Sequence, residues 1–72
     1  MMVGIEYCVP CGYEPRARAA RALIQQKKPD AEIALKMGSG GVFEIMVDGK
    51  LRFSKRASGH LPSDQEVLAT LD

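Results

Sequence analysis

A Cys-x-x-Cys motif constrains this fold most, because Cys8 and Cys11 are the only cysteines and lie where a strand pattern changes to a helix pattern. Residues 3–7 alternate large apolar with small or polar side chains, which is the period of a β-strand. Pro15 suits the first turn of a helix, since deeper inside it would clash with the carbonyl of Cys11, four residues earlier. The motif is therefore predicted to lie between a strand and a helix N-terminus.

Length and composition indicate one small globular domain over residues 1–72. The chain is 46% hydrophobic and 26% charged, which is typical of a globular rather than a disordered protein. Its length is near the lower limit for a self-sufficient hydrophobic core. A formal net charge of +1 creates no strong field, so we expect neither nucleic acid nor an anionic membrane as a partner.

The compartment bears on the chemistry of the cysteines. Residues 1–6 lack the long apolar region of a signal peptide, and no apolar run approaches the ~20 residues that span a bilayer. We therefore expect a cytoplasmic protein, in which a permanent disulfide is disfavoured. A disulfide at this short spacing would also constrain the unfolded chain little. The pair is better explained by redox or metal chemistry than by stability.

Beyond the motif, the apolar periodicity predicts one long helix and three more strands. The helix runs from about residue 13 to residue 28, and the next strand covers residues 32–37. Strand patterns at residues 42–47 and 50–54 are joined by Asp48-Gly49, a dipeptide suited to tight turns with positive φ. The apolar side chains expected on one face of this hairpin are Phe43, Ile45, Val47, Leu51 and Phe53.

The C-terminal part is predicted to be a polar loop at residues 55–60 followed by a short helix. Ser63 and Glu66 have the S-x-x-E form of a capping box that opens this helix. The element order is then β-α-β-β-β-α, with a parallel pair of strands around the first helix and an antiparallel hairpin in the same sheet. This predicts an α/β (α+β) thioredoxin-like fold, with a four-stranded mixed sheet and helices packed on it.

The motif at this position favours thiol–disulfide exchange. A thiol attacks as the thiolate, and a helix N-terminus lowers its pKa from about 8.5 through unpaired N–H groups and the macrodipole. The other cysteine then resolves the mixed disulfide, which leaves Cys8 and Cys11 oxidised. The residues expected to support the redox loop are Val9, Pro10, Gly12 and Tyr13.

Other interpretations of the same residues stay open. A Cys-x-x-Cys is half of a zinc site, whose remaining ligands would have to be His60, carboxylates or a second copy of the chain. The cysteines could also be inert. His60 is more simply a solvated loop side chain than a base, and the cations of the first helix more simply a solvent-facing stripe. Met37 and Met46 are interpreted as core or near-surface filling.

Two separated motifs lie at residues 3–13 and 41–55 of the chain. They are Val3-x-Ile5-x-Tyr7-Cys8-x-x-Cys11-Gly12-Tyr13 and Gly41-x-Phe43-Glu44-Ile45-x-Val47-x-Gly49-x-Leu51-x-x-Ser54-Lys55. Together they resemble the selenoprotein W branch of the Rdx family. The resemblance implies a thioredoxin-like fold and a glutathione-linked thiol or selenol oxidoreductase with an antioxidant role.

The resemblance and the thioredoxin pattern differ on the attacking sulfur. Relatives often carry selenocysteine at the position of Cys11 and cysteine at that of Cys8, so this chain is similar to the cysteine-containing members. Since a thiol is less acidic than a selenol, slower peroxidase-like chemistry is implied. The thioredoxin pattern instead favours Cys8 as the more exposed thiol. We expect Cys8 to attack and Cys11 to resolve.

Substrate docking is expected to differ from that of thioredoxins. Those proteins place a cis-proline before the strand that faces the active site, whereas residues 37–42 contain no proline. Gly40 and Gly41 would instead let a peptide or glutathione backbone approach closely.

The sequence thus predicts a thiol–disulfide oxidoreductase linked to glutathione or a thioredoxin-like reductant. Glutathione is the expected co-substrate, and no bound cofactor or metal is expected. The expected partners are glutathione or protein thiols and disulfides, and the expected state is a monomer or weak homodimer. The alternative is a redox-sensitive protein-binding module with little turnover.

Overall fold

The computed structural model describes all of residues 1–72 and shows one four-stranded mixed sheet. The elements are β1 (Met2–Cys8), α1 (Glu14–Lys27), β2 (Glu32–Gly38), β3 (Phe43–Val47), β4 (Lys50–Ser54), α2 (Lys55–Ser58) and α3 (Asp64–Ala69). The strand order is β2-β1-β3-β4, in which β1 is parallel to β2 and the other pairs are antiparallel. The predicted pairing is therefore confirmed.

The core lies between one face of the sheet and the helices α1 and α3. Alternate residues of β1 are buried, as the strand period predicts, and α1 contributes buried residues at helical spacing. Burial of one large apolar side chain stabilises a fold by about 1.5–3 kcal/mol. The buried core residues are Val3, Ile5, Tyr7, Ala17, Ala20, Ile24, Ala31, Phe43, Ile45, Phe53, Val67 and Leu71.

The predicted start of α1 agrees with the structure. The helix begins at Glu14 after the N-cap Tyr13, and Pro15 lies in its first turn. Glu14 also accepts a hydrogen bond from Arg18, 2.9 Å away, on the exposed face. None of the helices has the length and the apolar character needed to cross a bilayer.

The β3–β4 hairpin turns as predicted but pairs differently. Asp48 and Gly49 have φ values of 51° and 83°, as a tight turn with two left-handed residues requires. Ile45 pairs with Phe53, whereas the next residue, Met46, pairs with Leu51. A β-bulge at residue 52 therefore moves Leu51 away from the core, and its side chain is 52% exposed. The prediction that Leu51 shares the buried face was wrong.

The segment predicted as a polar loop contains a helical turn. α2 spans Lys55–Ser58 and ends at Gly59, whose φ of 82° is the left-handed conformation that glycine adopts readily at a helix end. One turn is too short to show an apolar period. The predicted capping box of α3 is confirmed, since Ser63 Oγ accepts from the Glu66 N–H and the Glu66 carboxylate accepts from the Ser63 N–H.

Candidate redox site

The two cysteines are joined in a disulfide at the end of β1. Cys8 is the last residue of the strand and Cys11 lies in the turn that follows, with Cα atoms 5.3 Å apart. We call residues 8–12 the cysteine loop. The redox motif thus has the placement that the sequence predicts, between a strand and the N-terminus of α1.

Two backbone hydrogen bonds between residues close in sequence, together with one glycine, shape the cysteine loop. The Gly12 N–H donates to the Val9 carbonyl at 3.0 Å, and the Tyr13 N–H donates to the Cys8 carbonyl at 3.3 Å. Gly12 has a φ of 77°, and a Cβ there would meet nothing within 4 Å. Glycine is favoured at this position for its backbone conformation rather than for space.

The two cysteines differ in their access to solvent. Cys8 is 0% exposed, whereas Cys11 is exposed. Cys8 is covered because it still belongs to the sheet: it lies opposite Gly38 of β2, and its N–H donates to the Val42 carbonyl at 2.8 Å. The expectation that Cys8 is the more exposed thiol was wrong. Cys11 is the exposed member of the pair.

The surroundings of Cys11 favour a thiolate. Cys11 lies three residues before Glu14, where α1 begins. The N–H groups of Cys11 and Glu14 make no hydrogen bond within the protein, as is usual at a helix N-terminus. Unpaired N–H groups and the positive end of the helix dipole stabilise negative charge on a nearby sulfur. The geometry suits thiol–disulfide exchange at Cys11.

The connection from β2 to β3 passes over the end of β1 beside the cysteine loop. We call residues 38–42 the glycine loop. β2 and β3 flank β1, so this connection must cross the strand end that carries Cys8. The Val9 N–H donates to the Gly38 carbonyl at 3.1 Å. Gly40 and Gly41, with φ values of 72° and 78°, therefore lie next to the motif; their suggested role in substrate approach stays a prediction.

Two cations near the cysteine loop were not assigned a role from the sequence. Lys55 Nζ lies 5.8 Å from the centre of the Tyr13 ring. Arg56 Nη2 lies 3.3 Å from the point where a Cβ on Gly40 would stand. The predicted antiparallel hairpin was a usable signal, because it returns the chain at residue 54 to the end of the sheet where the motif lies.

His60 is paired, although its ring is half exposed. Its Nε2 lies 2.9 Å and 3.1 Å from the two carboxylate oxygens of Glu66, and its Nδ1 lies 3.2 Å from the Ser58 carbonyl oxygen. The hydrogen bond with Glu66 raises the pKa of His60. The pKa of Glu66 is lowered, first by the hydrogen bond from the Ser63 N–H and then by His60. The pair ties the α2–α3 connection to the first turn of α3.

The remaining candidates do not add ligands to the cysteines. No three His, Cys, Asp or Glu side chains lie close enough together to hold a metal ion. A zinc site at Cys8 and Cys11 would therefore need ligands from a second copy of the chain. Met37 is 74% exposed and Met46 is also exposed, so neither fills the core.

The chain is similar to proteins of known sequence or structure over nearly its full length. It is 33% identical over 67 residues to migration and invasion enhancer 1 of Bos taurus, and equally to that of Mus musculus. That match covers 93% of this chain but 58% of each of those longer proteins.

Two crystal structures share the fold. A protein of Bordetella parapertussis is 29% identical, with a TM-score of 0.84 and coverage of 97% of this chain and 91% of that one. A selenoprotein W-related protein of Vibrio cholerae is 23% identical, with a TM-score of 0.85 and coverage of 99% and 96%. The predicted thioredoxin-like fold is confirmed. A sequence model of the Rdx family matches residues 2–72, and the chain, with its Cys8–Cys11 pair, belongs to that family.

Proposed function

We propose that the protein is a thiol–disulfide oxidoreductase in which Cys11 exchanges with the substrate and Cys8 resolves. The observation that carries this is the disulfide between one exposed and one buried cysteine at a helix N-terminus. In the reduced protein, the Cys11 thiolate attacks a disulfide RSSR, forms Cys11–S–S–R and releases RS⁻. Cys8 loses its proton and attacks the Cys11 sulfur, which forms the Cys8–Cys11 bond and releases the second RS⁻.

The burial of Cys8 suits the resolving step. Its attack on Cys11 is intramolecular, so it needs no access from solvent, and the Cα separation of 5.3 Å already allows the bond. The exchange transfers two electrons from the protein dithiol to RSSR. Two equivalents of glutathione, or a thioredoxin-like dithiol, return the protein to the reduced state. We place this cycle in the reducing cytoplasm, in defence against oxidation.

Separate cysteine variants test the order of attack. In Cys8→Ser the mixed disulfide on Cys11 has no resolving partner, so we expect it to accumulate after addition of glutathione disulfide, as seen by intact-protein mass spectrometry. In Cys11→Ser the remaining thiol is buried, and we expect at least tenfold slower adduct formation. Faster and stable adduct formation through Cys8 would contradict the proposed order.

Reversible cycling tests the proposed activity itself. In glutathione buffers of graded ratio, the Cys8–Cys11 bond should form and break reversibly with a single midpoint. The folded protein should also turn over hydroxyethyl disulfide when glutathione and glutathione reductase are supplied. A pair that stays reduced under strong oxidant in the folded state would contradict the proposal.

A second candidate function is a redox-sensitive binding module. Val9 in the cysteine loop is exposed, and Met37, which precedes the glycine loop, is exposed as well. The Val9 N–H donates to the carbonyl of Gly38, the residue after Met37, so the two side chains belong to neighbouring segments, and contiguous exposed apolar groups often mark sites of protein contact. A reversible midpoint without multiple turnovers in the coupled assay would favour this candidate over the enzyme.

A further inference from the structure

One end of the sheet gathers two cations that have no acidic partner. β1 and β2 are parallel and both end there, β3 begins there, and the antiparallel β4 returns to it at Ser54. Lys55 and Arg56 follow directly as the first residues of α2. The ion pairs of the molecule are Arg18–Glu14, Lys27–Asp72 and His60–Glu66, so neither of these two cations forms an ion pair.

The two cations contact different segments near the redox site. Arg56 lies against Gly40 in the glycine loop. This loop is hydrogen-bonded to the cysteine loop, because its Gly38 and Val42 carbonyls accept from the N–H groups of Val9 and Cys8, respectively. Lys55 lies over the ring of Tyr13, which directly precedes α1. Arg56 is exposed and Lys55 is partly exposed. Arg56 therefore lies beside the glycine loop and Lys55 beside the residue that follows the cysteine loop, while the Glu6 carboxylate contacts the glycine loop at Gly38 from the strand β1.

We infer that Lys55 and Arg56 form a carboxylate subsite, so that the favoured substrate is a small disulfide carrying carboxylates near its sulfur atoms. The inference rests on the proposed function and specifies its substrate class. A guanidinium presents a fork of donors to a carboxylate, and an ammonium adds a point charge. Both attract an anionic disulfide toward Cys11 and hold it while the thiolate attacks.

The exchange itself is unchanged by the subsite. The Cys11 thiolate attacks one sulfur of the anionic disulfide, one carboxylate-bearing thiolate leaves, and Cys8 then displaces the second. The protein dithiol is oxidised and the small disulfide is reduced to two thiols. Lys55 and Arg56 take no part in the electron transfer, so they are binding residues for the substrate's carboxylate.

A charge series of small disulfides tests the inference. Reduced protein is mixed with dithiodipropionate, hydroxyethyl disulfide or cystamine, which are anionic, neutral and cationic at neutral pH. Thiol loss is followed by rapid quenching and mass spectrometry. For each disulfide the rate constant of the Lys55→Gln, Arg56→Gln double variant is divided by that of the wild type, so the intrinsic reactivity of each disulfide cancels.

We expect the double variant to react about tenfold more slowly with dithiodipropionate, unchanged with hydroxyethyl disulfide and faster with cystamine. Added salt should reduce the wild-type preference, because these charges are exposed to screening. Arg21→Gln is the matched control: it removes one exposed cation from α1 that forms no ion pair, and it should leave all three rates unchanged. Lys55→Arg should retain the preference for the anion.

The possible failures are distinguishable. If the double variant slows all three disulfides equally, the residues act on the loop structure and the subsite is wrong. An effect no larger than that of Arg21→Gln also overturns it. The subsite alone fails if hydroxyethyl disulfide oxidises the wild-type protein but the double variant reacts with dithiodipropionate as fast as the wild type does. If none of the disulfides oxidises the folded, reduced protein, the proposed function fails.

Discussion

The two cysteines lie three positions apart in the chain but in different environments. Cys8 remains a sheet residue with neighbours on both sides, while Cys11 lies beyond the strand and is exposed. The order of attack expected from the thioredoxin pattern is therefore reversed in our proposal. The motif and the residue types were readable from the sequence. The burial of Cys8 was not, because it depends on Gly38 and Val42, some thirty residues further along the chain.

Gly12 offers a test of the local geometry of the cysteine loop. We expect Gly12→Ala to lower the free energy of unfolding by about 1–2 kcal/mol, because alanine must adopt an unfavourable φ of 77°. The added Cβ meets no other atom within 4 Å, so the loss would come from the backbone conformation alone. Urea denaturation of the oxidised protein measures this.

Gly4→Ala is the matched control for this prediction. A Cβ at Gly4 also meets nothing within 4 Å, and its φ lies outside the left-handed range, so alanine there should change stability little or slightly increase it. Equal losses from the two substitutions would contradict the conformational explanation.

At the level of secondary-structure elements, the sequence signals contained within a few residues predicted the structure correctly. The Asp48-Gly49 turn and the Ser63–Glu66 capping box each form as their local sequence indicates. The alternation of apolar and polar residues along β4 did not predict the bulge at Arg52. Arg52 donates to the carbonyl of Asp72 at the C-terminus, so the structure couples this position to a distant segment. α2 was missed because a single turn carries no periodic signal.

The His60–Glu66 pair predicts a pH dependence of stability. Pairing raises the pKa of His60 above its ordinary value of 6.5, so its contribution is complete below pH 6.5 and is lost as the pH rises through the raised value. The pKa of Glu66 is lowered from 4.5, so its contribution is complete above pH 4.5 and is lost as the pH falls through the lowered value. The pair therefore stabilises most between pH 4.5 and pH 6.5.

Thermal unfolding of wild type and His60→Gln, over a pH series that begins within that window and extends above it, tests this. The stability difference between the two proteins should be larger inside the window than above it. A difference that is independent of pH would show that His60 acts through the packing of its ring against Phe53 instead.

The whole molecule has two layers, with α1 and α3 on one face of the sheet and no helix on the other. The uncovered face holds a shallow cavity of about 210 Å³ lined by residues such as Gly4, Ala34 and Met46. A chain of 72 residues is expected to have a free energy of unfolding of roughly 4–11 kcal/mol. The hydrophobic core is limited to the face of the sheet that packs against α1 and α3.

Reduction of the disulfide should leave the fold intact. The loop it closes is only four residues long, for which chain entropy predicts a stabilisation of about 2 kcal/mol, within the stability expected for this chain. We expect the reduced protein to keep its circular dichroism spectrum in the far and near ultraviolet and to unfold at lower urea concentration. A reduced protein that is unfolded at 25 °C would mean that the bond is structural. Cys11→Ala, which removes an exposed sulfur, should behave like the reduced form.

The sequence by itself determined the strand–motif–helix order, the tight turn, the capping box and the Rdx pattern, because each depends on residue types at short spacing. The tertiary structure alone decided which sulfur is exposed, which face Leu51 occupies and which cations lie beside the disulfide. Those outcomes depend on chain segments that are far apart in sequence and adjacent in the sheet. At the redox site the glycine loop covers Cys8, while β4 and α2 bring Lys55 and Arg56 to the same end.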